Sequence, residues 1–106
     1  MMHLIGQLHG PSINFVSELE SKMDKVAAEC KFTVVNRAFH QFEPIGVTGV
    51  LVLSESHFSA HTYPENTMIY MDVFCCSPHF EPKFCADVIE RVFGGELRWR
   101  VVDRQK

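Results

Sequence analysis

Between positions 54 and 76 the chain gathers most of its reactive side chains: Ser54-Glu55-Ser56-His57, then His61, Glu65 and Cys76. A hydroxyl beside an imidazole is the material of nucleophilic catalysis, and a thiol can donate a proton. A carboxylate can accept two hydrogen bonds at once. Each residue also has an ordinary role: a surface hydroxyl, a solvated glutamate after proline, a small core cysteine at a strand end. The Ser-His pair lacks the G-x-S-x-G elbow of a hydrolase. From residue types alone, the middle of the chain is a polar cluster at one end of a small domain.

Metal binding is not expected from the spacing. His57 and His61 stand four apart in an alternating run, where four residues span about 13 Å, too far for two ligands of one ion. Cys75 and Cys76 are adjacent on a strand and point to opposite faces, which disfavours a site with His79. The four cysteines, Cys30, Cys75, Cys76 and Cys85, are expected as free thiols, because no secretory signal precedes them.

The elements that position these groups follow from pattern. At 106 residues the chain is one domain, 1–106, with room for a single two-layer core. Its net charge of −3 and the short basic tail from Arg98 to Lys106 do not suit nucleic acid. No apolar run reaches the roughly 18 to 20 residues of a membrane helix, and MMHLIGQLHG does not read as a signal peptide, so the expected location is the cytoplasm.

His3 to Leu8 alternates as a strand. Val16, Leu19, Met23, Val26, Ala27 and Cys30 form one helical stripe, with Ser17-x-x-Glu20 as a possible capping box or an earlier start at Ser12 or Asn14. Strands are expected at Phe32 to Phe39, Val47 to Leu53, Phe58 to Tyr63 and Met68 to Cys75, with Pro64-Glu65-Asn66 as a turn. Phe84, Cys85, Val88, Ile89, Val92 and Phe93 give a second helix, opened by Pro82 and ended by Gly94-Gly95. Leu97 to Val102 is the last strand. The order β-α-β-β, β-β-α-β implies an α+β, two-layer α/β sandwich: a mostly antiparallel sheet with both helices on one face. The other face is apolar enough to expect a partner subunit.

Three stretches carry a family resemblance. Gly46 to Glu65, with its core E-S-H-x-x-x-H-T-x-P-E, closely resembles the prokaryotic S-adenosylmethionine decarboxylase proenzymes. Asp72-Val73-Phe74-Cys75-Cys76 resembles the family's D-x-F-x-C, and Phe39-His40-Gln41-Phe42 with Pro44 resembles its F-H-x-F-x-P. The resemblance covers roughly residues 32 to 93.

It implies a chain that cleaves itself between Glu55 and Ser56, into a β chain of residues 1–55 and an α chain of residues 56–106. Ser56 would become a pyruvoyl cofactor that forms a Schiff base with the substrate. At a strained strand end, the Ser56 hydroxyl would attack the Glu55 carbonyl. His61 would move the proton in the following elimination, supported by Thr48, which stands where serine is more usual. Cys76 would be the proton donor in turnover, and Cys75 a core residue. Phe42 would stack on adenine and Glu65 would bind ribose hydroxyls, with the sites at or near a homodimer interface. The implied activity is decarboxylation of S-adenosylmethionine in polyamine biosynthesis. Ornithine or arginine as substrate, and a non-catalytic homologue that binds a ligand or regulates a partner subunit, are the alternatives.

Overall fold

A computed structural model describes residues 1–105. The chain forms β1 (Met2–His9), α1 (Val16–Glu29), β2 (Val34–Gln41), β3 (Val47–Leu53), β4 (Ser56–Tyr63), β5 (Met68–Cys75), α2 (Pro82–Phe93) and β6 (Glu96–Asp103). A single 3-10 turn, Pro64–Asn66, joins β4 to β5. The sheet order is β2-β3-β4-β5-β1-β6, with every neighbouring pair antiparallel.

Alternation decides which face each strand buries. Leu4 and Leu8 of β1, Leu51 of β3, Phe58 of β4, and Ile69 and Val73 of β5 are fully enclosed, together with Leu19, Met23 and Val26 of α1 and Ile89 of α2. Both helices therefore lie on one face of the sheet. Within β3, Gly49 leaves room for a ring: a Cβ there would sit 2.3 Å from Phe39 Cε2 of the neighbouring strand.

Three expectations change in detail. The expected capping box at Ser17 does not form, and neither Ser12 nor Asn14 caps the helix; the N-cap is Phe15, with no side-chain cap of its own. A strand residue supplies the missing acceptor instead. Gln41 Oε1 takes the Val16 N–H at 2.9 Å, while its amide nitrogen donates to the Asn14 carbonyl at 2.9 Å and the Gly46 carbonyl at 3.0 Å. The second strand starts at Val34 rather than Phe32, because Phe32 still closes α1 through its N–H to Ala27 O. On α2 the first apolar residue, Phe84, faces solvent, and Ala86 joins Cys85, Val88, Ile89 and Phe93 inside. Of the basic tail, Lys106 lies outside the described residues.

Candidate active site in two halves

The expected site residues fall into two groups at opposite ends of β4. The first group is built by the turn between β3 and β4 and by the end of β5. Ser56 opens β4 and pairs with Cys75, the last residue of β5. Cys75 is buried in the core, so the next residue, Cys76, is turned outward and exposed. The Cys76 backbone N–H donates to the Glu55 carbonyl at 3.2 Å. Its thiol lies 3.9 Å from Ser56 Oγ. A nucleophile, the carbonyl it would attack, a donor on that carbonyl's oxygen and a proton-bearing thiol thus share one strand end.

The Glu55–Ser56 bond does not lie in left-handed backbone. Among the described residues, the non-glycine positions with positive φ are Lys31 (φ 60°) and Thr67 (φ 48°), neither at the Glu55–Ser56 bond. What distinguishes that bond is the hydrogen bond on its carbonyl.

The second group lines a cleft of about 280 Å³ at the far end of β4. Phe42, from the β2–β3 connection, stands half-exposed with its ring edge-on to His40 at 4.7 Å. Thr48 of β3 pairs with His61 of β4, and Thr48 Oγ1 lies 3.1 Å from His61 Nδ1. A threonine hydroxyl here fixes the imidazole and leaves Nε2 for other chemistry. Glu65, in the 3-10 turn, completes the lining. The expected substrate-binding pair and the expected processing pair are therefore together in one cleft.

The two groups do not meet within one chain. Five residue steps along the strand separate Ser56 from His61, about 16 Å, and their odd spacing sends the two side chains to opposite faces. His61 lies with His57 and Ser59 on the sheet face that carries no helix.

That face holds a third cluster, centred on Asp72 of β5. His3 Nε2 and His57 Nε2 approach Asp72 Oδ2 at 2.7 and 2.9 Å, and Ser59 Oγ donates to Oδ1. Arg104 donates to His3 Nδ1 at 3.1 Å, so His3 carries its proton on Nε2 and donates it to Asp72. Burial alone would raise the Asp72 pKa. The hydrogen bonds from Ser59, His57 and His3 outweigh it and hold the carboxyl below the ordinary aspartate range. The sequence places Asp72 in a motif but marks no role for it, for His3 or for Ser59. Their meeting depends on β1 lying beside β5, which brings His3 to a residue 69 positions away, and alternation within one strand does not reveal it.

Comparison with known proteins adds to this geometry. The family model for S-adenosylmethionine decarboxylase matches residues 2–105. The chain belongs to the S-adenosylmethionine decarboxylase family. An S-adenosylmethionine decarboxylase proenzyme of Symbiobacterium thermophilum is 45% identical over 85 residues, which are 80% of this chain and 64% of that protein. This chain thus spans somewhat less than two thirds of that relative. A proenzyme of Geobacillus kaustophilus is 34% identical over 99 residues, 91% of this chain and 79% of the relative. Among solved structures, the adenosylmethionine decarboxylase of Aquifex aeolicus VF5 superposes with a TM-score of 0.85 at 27% identity, covering 97% of this chain and 88% of that one. The α+β sandwich is that of the family. No described helix is long and apolar enough to cross a membrane.

Proposed function

We propose that this chain is a self-processing, pyruvoyl-dependent decarboxylase acting on S-adenosylmethionine, and that two copies complete each of its sites. The observation that carries the reading is the strand end where Ser56, the Glu55 carbonyl, the Cys76 N–H and the Cys76 thiol converge.

Cleavage begins with Ser56 Oγ attacking the Glu55 carbonyl carbon, while the amide nitrogen of residue 56 leaves and the chain becomes an ester. Negative charge develops on the Glu55 oxygen, where the Cys76 N–H already donates. A fixed backbone donor of this kind costs no reorganisation as the charge forms. Elimination then takes the Cα proton of residue 56 and expels the Glu55 carboxylate, and the dehydroalanine left behind tautomerises to an imine that water converts to a ketone with loss of ammonia. His61 held by Thr48 suits the task of base for that proton. Because His61 is remote from Ser56 in its own chain, the base is that of a second copy across a two-fold interface. Such an interface is self-complementary, so both ends of both β4 strands are served at once.

A ketone at residue 56, conjugated with its amide, supplies the electron sink that amino-acid decarboxylation requires. Cys76 holds a proton beside that position for return to the substrate carbon. Phe42 offers a half-exposed ring for a flat base, and Glu65 two acceptor oxygens for a diol. A free basic amino acid would leave the ring unused. Ser56, His61 and Cys76 are all present, which weighs against a non-catalytic homologue.

The test combines a gel with an assay. Purified chain should separate under denaturing, reducing conditions into fragments 1–55 and 56–106, the second blocked at its N-terminus. The processed protein should release labelled CO₂ from S-adenosylmethionine in preference to ornithine, arginine and lysine. An intact chain with an ordinary serine after long incubation would sink the self-processing reading. Turnover confined to ornithine or arginine would overturn the substrate.

A further inference from the structure

Two thiols that the proposed chemistry does not use face each other where the helices meet. Cys30 is the C-cap residue of α1, and Cys85 lies in the first turn of α2. Both side chains line one cleft of about 480 Å³, which also reaches Glu55 and Cys75, and they lie near enough to shift each other's pKa. The seam is held on both sides of the pair. Glu29 and Arg91 form an ion pair, with Arg91 Nη1 donating to Glu29 Oε2 at 3.2 Å. Phe32 packs against Phe80 with ring centroids 6.2 Å apart. The backbone segments that carry the two cysteines are thus fixed near each other.

The exposures of the two thiols differ. Cys30 is partly open to the cleft, and Cys85 is buried. Their proximity favours one thiolate: Cys85 as donor lowers the Cys30 pKa, whereas the Cys85 pKa is raised by Cys30 and by burial. An accessible attacking thiol beside a buried resolving thiol is the arrangement in which a disulfide closes in two steps.

We propose that Cys30 and Cys85 are an oxidation site, closed to a disulfide by a small-molecule disulfide such as glutathione disulfide, and that this bond joins the two chains left by self-cleavage. The Cys30 thiolate attacks one sulfur of glutathione disulfide, forming a mixed disulfide and releasing one reduced glutathione. Cys85 then loses its proton and attacks Cys30 Sγ, and the second reduced glutathione leaves. Two protein thiols are oxidised, two electrons pass to glutathione disulfide, and the two protons end on the two glutathione thiols.

The joining role rests on cleavage at Glu55–Ser56, since Cys30 lies in fragment 1–55 and Cys85 in fragment 56–106. Before oxidation, those fragments are held without a covalent bond, by sheet pairing, core packing and polar contacts such as the Glu29–Arg91 ion pair: β1 lies between β5 and β6, and β3 lies against β4. The disulfide would add a covalent tie at the other layer, between α1 and α2.

The test uses the processed protein and the Ser56→Ala chain, each incubated with glutathione disulfide, blocked with an alkylating agent and digested with trypsin without reductant. Trypsin separates the thiols, because Cys30 falls in peptide 26–31, Cys85 in 84–91, and Cys75 with Cys76 in 38–83 of the uncut chain or 56–83 of the processed protein. The expected product in both proteins is peptide 26–31 linked to 84–91. It should be lost in Cys30→Ser and in Cys85→Ser, and kept in Cys75→Ser. On a non-reducing gel the oxidised, processed protein should run as one band at the unprocessed size, and split on reduction. Recovery of 26–31 and 84–91 unlinked, or capped by glutathione, or tied to the peptide that holds Cys75 and Cys76, would overturn the proposal. A wild-type chain uncut on the reducing gel would fail the cleavage reading alone, while the linked peptide would still decide this one.

Discussion

Cys76 acts twice in the proposed chemistry, through different atoms. Its backbone N–H steadies the Glu55 oxygen during cleavage, and its thiol supplies a proton in turnover. Cys76→Ala keeps the N–H and loses the thiol, so it should still cleave itself yet lose CO₂ release by a factor of about 10² or more. Fragment analysis and the CO₂ assay on one preparation separate the two roles. Cys75→Ala should retain most activity, since that side chain packs inward. Asp72 belongs at this scale too. Its folded pKa is lowered, so the stability it contributes is fully present above the ordinary aspartate value and is lost as pH falls through the lower folded value. Asp72→Asn should cost about 1 to 3 kcal/mol near neutrality, as three partners lose a charged acceptor. Denaturant titrations in acid should find the gap from wild type narrowing.

Among the elements, the start of α1 depends on a residue of β2. Gln41 caps the Val16 N–H and ties down the carbonyls of Asn14 and of Gly46, which lines the cleft that holds Phe42. Gln41→Ala should destabilise the fold by about 1 to 2 kcal/mol, the usual cost of a lost helix cap. It should also raise KM for S-adenosylmethionine more than it lowers kcat, because it loosens the substrate cleft and leaves Cys76 untouched. Gly49→Ala tests the packing of β2 on β3. A Cβ 2.3 Å from the Phe39 ring forces that ring to move, for about 1 to 3 kcal/mol, read as a fall in the denaturant midpoint.

For the whole molecule, the decisive geometry is the length of β4. Its two ends carry, on opposite faces, the two halves of the proposed site, so under that proposal a single copy is incomplete. Chains carrying Ser56→Ala and His61→Ala should each stay uncut when expressed alone. Co-expressed, the His61→Ala chain should be cleaved, because it keeps Ser56 and Cys76 and borrows His61 from its partner. No fragments in the mixed preparation, with mixed dimers present by mass, would argue that both residues act within one chain.

Sequence by itself determined the elements, their order and the family. Alternation and helical spacing mark a buried face that water enforces locally, which is why β3, β5 and α2 lie where their apolar patterns end. The E-S-H-x-x-x-H-T-x-P-E run likewise carried the names of Ser56, His61 and Glu65. Strand order needed the tertiary structure. β1 inserts between β5 and β6, and that long-range pairing alone brings His3 to Asp72. The helix cap at Gln41, the Cys76 N–H on the Glu55 carbonyl and the nearness of Cys30 to Cys85 arise the same way. Each joins residues distant in sequence through a register or a helix crossing, and such contacts leave no periodic trace along the chain.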